Sequence, residues 1–151
     1  MLFGRLGNEG FSALTLSLVG KFCIPRLLYG VEALNLKTAN INSLEFAYGS
    51  TFFKLFGCRE KISQRYCQWA TGYLPASYLI DYRRFIFLKS LCTNKASPFA
   101  SMLFFLYDDQ GIIDLLKKYN LELYNGRVSH LSRGVLLQHM WSTLYQECAV
   151  Q

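Results

Sequence analysis

Gly72-Tyr-Leu-Pro-Ala-Ser-Tyr-Leu-Ile-Asp-Tyr-Arg-Arg-Phe-Ile-Phe-Leu-Lys-Ser-Leu91 is the stretch that decides the fold. Pro75 suits the first helical position, N1, where a missing N–H costs nothing. Beyond it Leu79, Ile80, Tyr82, Phe85, Ile86, Phe87, Leu88 and Leu91 cover almost every side of a helix. A helix that is apolar all round must be surrounded by other helices. The stretch is therefore expected to be the central helix of a bundle.

Working outward, the pattern stays helical. Ile41, Leu44, Tyr48, Phe52 and Leu55 fall on one face of the 3.6-residue period, with Ser43, Ser50 and Lys54 opposite. Thr38 is placed to cap this helix and Gly57 to end it. A shorter helix is expected over Glu60–Thr71, closed by Gly72. Ser12–Cys23 reads as a helix that Pro25 bends or breaks, with Arg26–Leu34 continuing at a new angle. On the C-terminal side, Asn94–Pro98 reads as a loop. Phe99–Tyr107 fits a helix or a buried strand, and Asp108-Asp109-Gln110-Gly111 fits a turn. A short helix over Ile112–Tyr119, a turn at Asn125-Gly126, and an amphipathic helix over Ser129–Gln146 complete the chain. That last helix should put Leu137, Met140, Trp141 and Leu144 inward. The expectation is an all-α, irregular helical bundle of six to seven helices, with residues 1–93 as one unit and 94–151 as an extension packed on it.

With 151 residues the chain is long enough for a real core. Apolar residues make up 52% and charged residues only 17%, which excludes a disordered chain and makes a missing partner domain plausible. The charge is uneven. Residues 1–100 carry twelve Lys/Arg against five Asp/Glu, whereas 101–151 carry four against five. A basic front fits a polyanionic partner. Cys23, Cys58, Cys67, Cys92 and Cys148 are odd in number and widely spaced, which points to reduced, mostly buried thiols in an intracellular protein. No Cys-x-x-Cys is present to support a zinc or redox motif. Lys21 and Arg26 interrupt the N-terminal apolar tract, so the chain is read as neither secreted nor membrane-spanning.

Few side chains are candidates for chemistry. Tyr107-Asp108-Asp109 lacks the aromatic-x-Asp-Asp spacing that a two-metal polymerase hairpin needs, and no further Asp-bearing strand precedes it. It reads as a turn. His130 and His139 lie nine residues apart and point to opposite sides of one helix, His130 to the core and His139 to the surface. What remains is a mixture of basic and aromatic residues, with Arg59 and Lys61 among the basic ones. Lys21, Arg26, Lys54, Arg65, Arg83, Arg84 and Lys89 are the candidate nucleic-acid contacts, because helices laid along a nucleic acid hold it through its phosphates. Arg84 has a competing reading, an ion pair to Asp81 at i, i+3. The aromatics Tyr48, Phe52, Tyr82 and Phe85 are read as core.

Three stretches carry a family likeness. They are Gly4-Arg-Leu-Gly-Asn8; Cys23–Leu34 running on to Asn42-Ser-Leu-Glu-Phe-Ala-Tyr-Gly-Ser-Thr-Phe-Phe-Lys-Leu-Phe-Gly57; and Gly72–Leu91. In order and separation they resemble the region after the catalytic palm in the reverse transcriptases of non-LTR (LINE-like) retrotransposons, over about residues 4–92. The resemblance implies RNA-directed DNA polymerase ancestry and a thumb that grips template–primer or element RNA. The implied partners are RNA, an RNA–DNA or DNA duplex, and the palm and fingers domains that this chain lacks. The implied Mg²⁺ belongs to that palm, so no cofactor and no polymerase activity are expected here. Met1 is then an internal methionine of a longer frame or the start of a truncated copy. Expected localisation is intracellular, nuclear or cytoplasmic. Two other readings stand beside this one: a stand-alone basic helical module that binds nucleic acid, and an inert or protein-binding fragment.

Overall fold

The structure, a computed structural model, describes residues 12–34, 36–93, 109–121 and 131–149. Within them the chain is all-α, with no strand. The elements are α1 (Ser12–Leu18), a π turn (Val19–Cys23), α2 (Ile24–Leu27), a 3₁₀ turn (Val31–Ala33), α3 (Thr38–Phe56), α4 (Lys61–Ala70), α5 (Ala76–Thr93), α6 (Asp109–Lys118) and α7 (Arg133–Ala149).

Pro25 does not break the N-terminal helix. The helix widens ahead of it instead. Through Val19–Cys23 the ladder takes π geometry, and the Ile24 N–H donates to the carbonyl of Val19, five residues back. Proline lacks an N–H and its ring collides with the carbonyl four residues earlier, so a widened turn relieves both problems. The expected continuation over Arg26–Leu34 is shorter than the sequence indicates. α2 stops at Leu27, Gly30 turns the chain at φ 71°, and only Val31–Ala33 is again helical. Gly20, within the π turn, meets α5's leader. A Cβ there would lie 2.9 Å from the Tyr73 ring, and the absence of one lets the Tyr73 hydroxyl reach the Leu16 carbonyl at 2.9 Å.

α3 follows its stripe. Tyr48 and Phe52 are buried; Ile41, Leu44 and Leu55 are half-buried. The helix starts at Thr38 itself, with Lys37 in the flanking extended position, so Thr38 is not the cap. Gly57 ends it in the left-handed conformation at φ 71°, its N–H donating to Phe53. α4 ends at Gly72 in the same conformation, φ 77°.

α5 is central, as its composition requires. It packs against the 3₁₀ turn, α3, α6 and α7. Pro75 sits one residue ahead of the helix, and its carbonyl accepts the Leu79 N–H at 3.1 Å. One face of α5 presents Ile80 to Leu28 and Val31. Another presents Tyr78, Phe85 and Leu88 to Leu115, Leu116, Tyr119, Leu136, Met140 and Leu144. Each such apolar side chain contributes about 1.5–3 kcal/mol when removed from water. This cluster crosses the boundary expected at residue 94, so α5 serves both halves of the chain.

The C-terminal part differs in register from its sequence reading. Asp109–Gly111, expected to form a turn, are the first residues of α6. Phe99–Tyr107, Asn94–Pro98, Asn125-Gly126 and His130 lie outside the described residues. α7 begins at Arg133, four residues later than expected, because the Ser132 hydroxyl accepts the Val135 N–H at 3.1 Å and caps it there. Its inward stripe is Leu136, Met140 and Leu144, with Leu137 and Trp141 half-buried on the flank.

Candidate nucleic-acid interface

The basic side chains divide into two sets. The first is turned inward. Arg65 on α4 pairs with Glu45 of α3 at 3.7 Å and with Glu147 of α7. Glu147 in turn accepts the Tyr78 hydroxyl from α5 at 2.9 Å. The Tyr78 ring meets the Tyr119 ring edge-on at 5.3 Å. The Tyr119 hydroxyl donates to Asp81 of α5 at 2.8 Å, and Lys118 of α6 pairs with the same carboxylate oxygen at 2.6 Å. This polar ladder ties α3, α4, α5, α6 and α7 together. Burial first, then the carboxylates beside them, push the Tyr78 and Tyr119 hydroxyls well above their usual range, so both stay protonated donors.

Two further candidates from α5 are also spent on the backbone. Arg83 Nη1 donates to the Leu28 carbonyl at 3.0 Å and holds the turn after α2. Lys89 Nζ donates to the Leu131 carbonyl at 2.7 Å, ahead of α7. Arg83 also borders a cavity of about 580 Å³, walled by Ile24, Leu28, Leu79, Ile86 and Phe87. The expected Asp81–Arg84 pair does not form, because Asp81 is already taken by Lys118 and Tyr119. Arg84 is half-buried and makes no ion pair among the described residues. His139 is not a plain surface residue. It is half-buried, and its Nδ1–H donates to the Tyr119 carbonyl at 3.2 Å.

The second set faces out, interleaved with exposed rings. On the N-terminal rod, Lys21 neighbours Phe22 and Arg26 lies one turn before Tyr29, which is 86% exposed. At the α3–α4 junction, Lys54, Arg59 and Lys61 are exposed alongside Phe53 and Phe56. The Arg59 guanidinium lies 6.0 Å from the Phe53 ring centre, at the outer limit of cation–π range. Arg59 and Lys61 belong to the basic signal read from the sequence without being among its seven candidate contacts, and Phe53 and Phe56 are the residues that reading missed. The sequence signal for these rings is the density of aromatics and cations over residues 53–61.

The four cysteines whose side chains are described are free thiols, as the sequence reading expects, but less buried than it expects. Cys23 is exposed, and Cys58, Cys67 and Cys148 are half-buried. Among the described residues no three His, Cys, Asp or Glu side chains come together as a metal site would need. Ala13–Ala33, with mean hydropathy 1.3, is long and apolar enough to cross a membrane by length and composition, and 28% of that window is buried. No protein-family model, curated protein or solved structure matches the chain.

Proposed function

We propose that the chain is a helical module that grips nucleic acid, of the kind that follows the palm in non-LTR reverse transcriptases, with no polymerase chemistry of its own. The observation that supports this is the outward set of cations interleaved with exposed aromatic rings: Lys21 and Arg26 with Phe22 and Tyr29, and Lys54, Arg59 and Lys61 with Phe53 and Phe56. Cations contact phosphates without reading sequence. Rings beside them offer stacking, worth about 1–3 kcal/mol per unpaired base. The α3–α4 junction is the better half of this surface, since it holds three cations and two rings within nine residues of chain. We read the helical segments within Ala13–Ala33 as part of the bundle, because Leu16, Val19, Leu28 and Val31 are buried against α3 and α5.

The test is fluorescence anisotropy of a labelled single-stranded RNA and of an RNA–DNA duplex with the full chain. Arg59→Ala with Lys61→Ala should weaken binding about tenfold, uniformly across sequences. Unchanged affinity in the double variant, or no saturable binding by the wild type, overturns the proposal.

A second reading rests on a separate observation. Phe46 on α3 is 80% exposed, about two helical turns before Lys54, the nearest cation of the outward set along the chain. Rings left out in this way suit a partner protein domain. Self-association reversed by mild detergent, without nucleic-acid binding, favours that reading.

A further inference from the structure

Two cysteines nine residues apart, which no motif in the sequence links, meet in space. Cys58 lies in the short connection after α3 and Cys67 on the second turn-and-a-half of α4, and their sulfurs are 2.9 Å apart. Both are half-buried. The contact is held from both sides. Gln64 Nε2 donates to the Cys58 carbonyl at 3.0 Å and to the Arg59 carbonyl at 3.4 Å, pinning the connection to α4. Gln64 Oε1 lies against Gly49 of α3, at a point where a Cβ would come within 2.6 Å. On the other side, Cys67 is fixed by the helix, and its carbonyl accepts the Thr71 hydroxyl at 2.6 Å. A disulfide needs the sulfurs at ~2.05 Å, so less than about 1 Å of approach separates this pair from a bond. Among the described residues no other two cysteines are paired in this way.

We propose that Cys58 and Cys67 are a redox modification site, at which hydrogen peroxide closes a disulfide across the α3–α4 junction. The thiolate of Cys58 attacks one oxygen of the peroxide; the O–O bond breaks, an S–O bond forms, and the other oxygen leaves as water with a proton from solvent. Cys58 is now a sulfenic acid. The sulfur of Cys67 then attacks the Cys58 sulfur, the S–S bond forms, and the S–O bond breaks, with the Cys67 proton leaving on the oxygen as a second water. Two thiols and one peroxide become one disulfide and two waters. Burial, followed by the hydrogen bond to Cys58 and its charge, pushes the Cys67 thiol up to about 11, so Cys67 is the less reactive of the two toward peroxide.

This inference is independent of nucleic-acid binding, because its readout is chemical. The full chain is treated with hydrogen peroxide, quenched by alkylation, and analysed by intact mass and by non-reducing peptide mapping. The expected result is the loss of two hydrogens and a linked peptide joining Cys58 to Cys67, reversed by dithiothreitol. In Cys67→Ser the linked peptide disappears, and a dimedone adduct appears at Cys58. Failure to lose two hydrogens in the wild type, or a linked peptide that runs through Cys23, Cys92 or Cys148 instead, overturns the proposal.

Discussion

Arg65→Ala should lower the unfolding free energy by about 2–4 kcal/mol, read as a shift of the urea midpoint with an unchanged slope. The substitution leaves Glu45 and Glu147 without their shared counter-charge, and Glu147 loses the group that balances it while it accepts from Tyr78. Complete burial of such a pair sets the upper end, about 3–5 kcal/mol, when one member is removed. The value is lower here because the three side chains keep 17–37% of their surface in water. A cation that served only to meet phosphate would sit on the surface, and its removal would change stability by no more than about 0.5 kcal/mol. The measurement therefore assigns Arg65 to the fold or to the interface, and the geometry assigns it to the fold.

Phe52→Ala should cost more, about 3–5 kcal/mol, enough to unfold a chain of ordinary stability. Phe52 has no exposed surface, meets Tyr48 edge-on at 5.3 Å, and lies 6.4 Å from the Tyr73 ring. It also sits where α1, α3 and α5 converge, with Leu16, Val19 and Ala76 around it. Truncation leaves a cavity that α1 and α5, held close where Gly20 meets the Tyr73 ring, cannot close. Tyr48→Phe, one turn away, is the contrasting case. The Tyr48 hydroxyl is buried without a hydrogen-bond partner among the described residues, and burial raises its pKa well above the usual range. Removing that oxygen also removes an unpaid desolvation cost, so the change should be neutral or slightly stabilising. Thermal unfolding of the two variants side by side checks both signs.

These two residues also mark what the sequence made legible. Phe52 belongs to a period that any helix must bury, and it is buried. The all-apolar α5 had to be central, and Gly57 and Gly72 had to end helices, because only glycine turns left-handed without strain. Arg65 was a different matter. Its partner Glu147 lies 82 residues along the chain, and no local spacing records such a contact. Asp81 shows the same limit. Its nearest basic neighbour by helical spacing was Arg84, yet Lys118 and Tyr119 hold it, since α6 packs closer to that carboxylate than the next turn of α5 does. Pro25 marked a disturbance correctly, but whether it bends, breaks or widens the helix is not recorded in local spacing; here it is a π turn. Cys58 and Cys67 were invisible as a pair, because the connection after α3 sets where the first one points.

The cations fall into two populations: Arg65, Arg83 and Lys89, which hold helices together, and Lys21, Arg26, Lys54, Arg59 and Lys61, which are exposed to solvent. The most direct measurement is the slope of log binding constant against log salt for a labelled RNA–DNA duplex. With five outward cations on phosphate, the wild-type slope should be about −3.5 to −4.5. It should become shallower by about one for Arg26→Ala or Lys61→Ala, and stay unchanged for Arg83→Met. A slope near zero, or one that flattens with Arg83→Met and ignores the outward residues, would contradict the account.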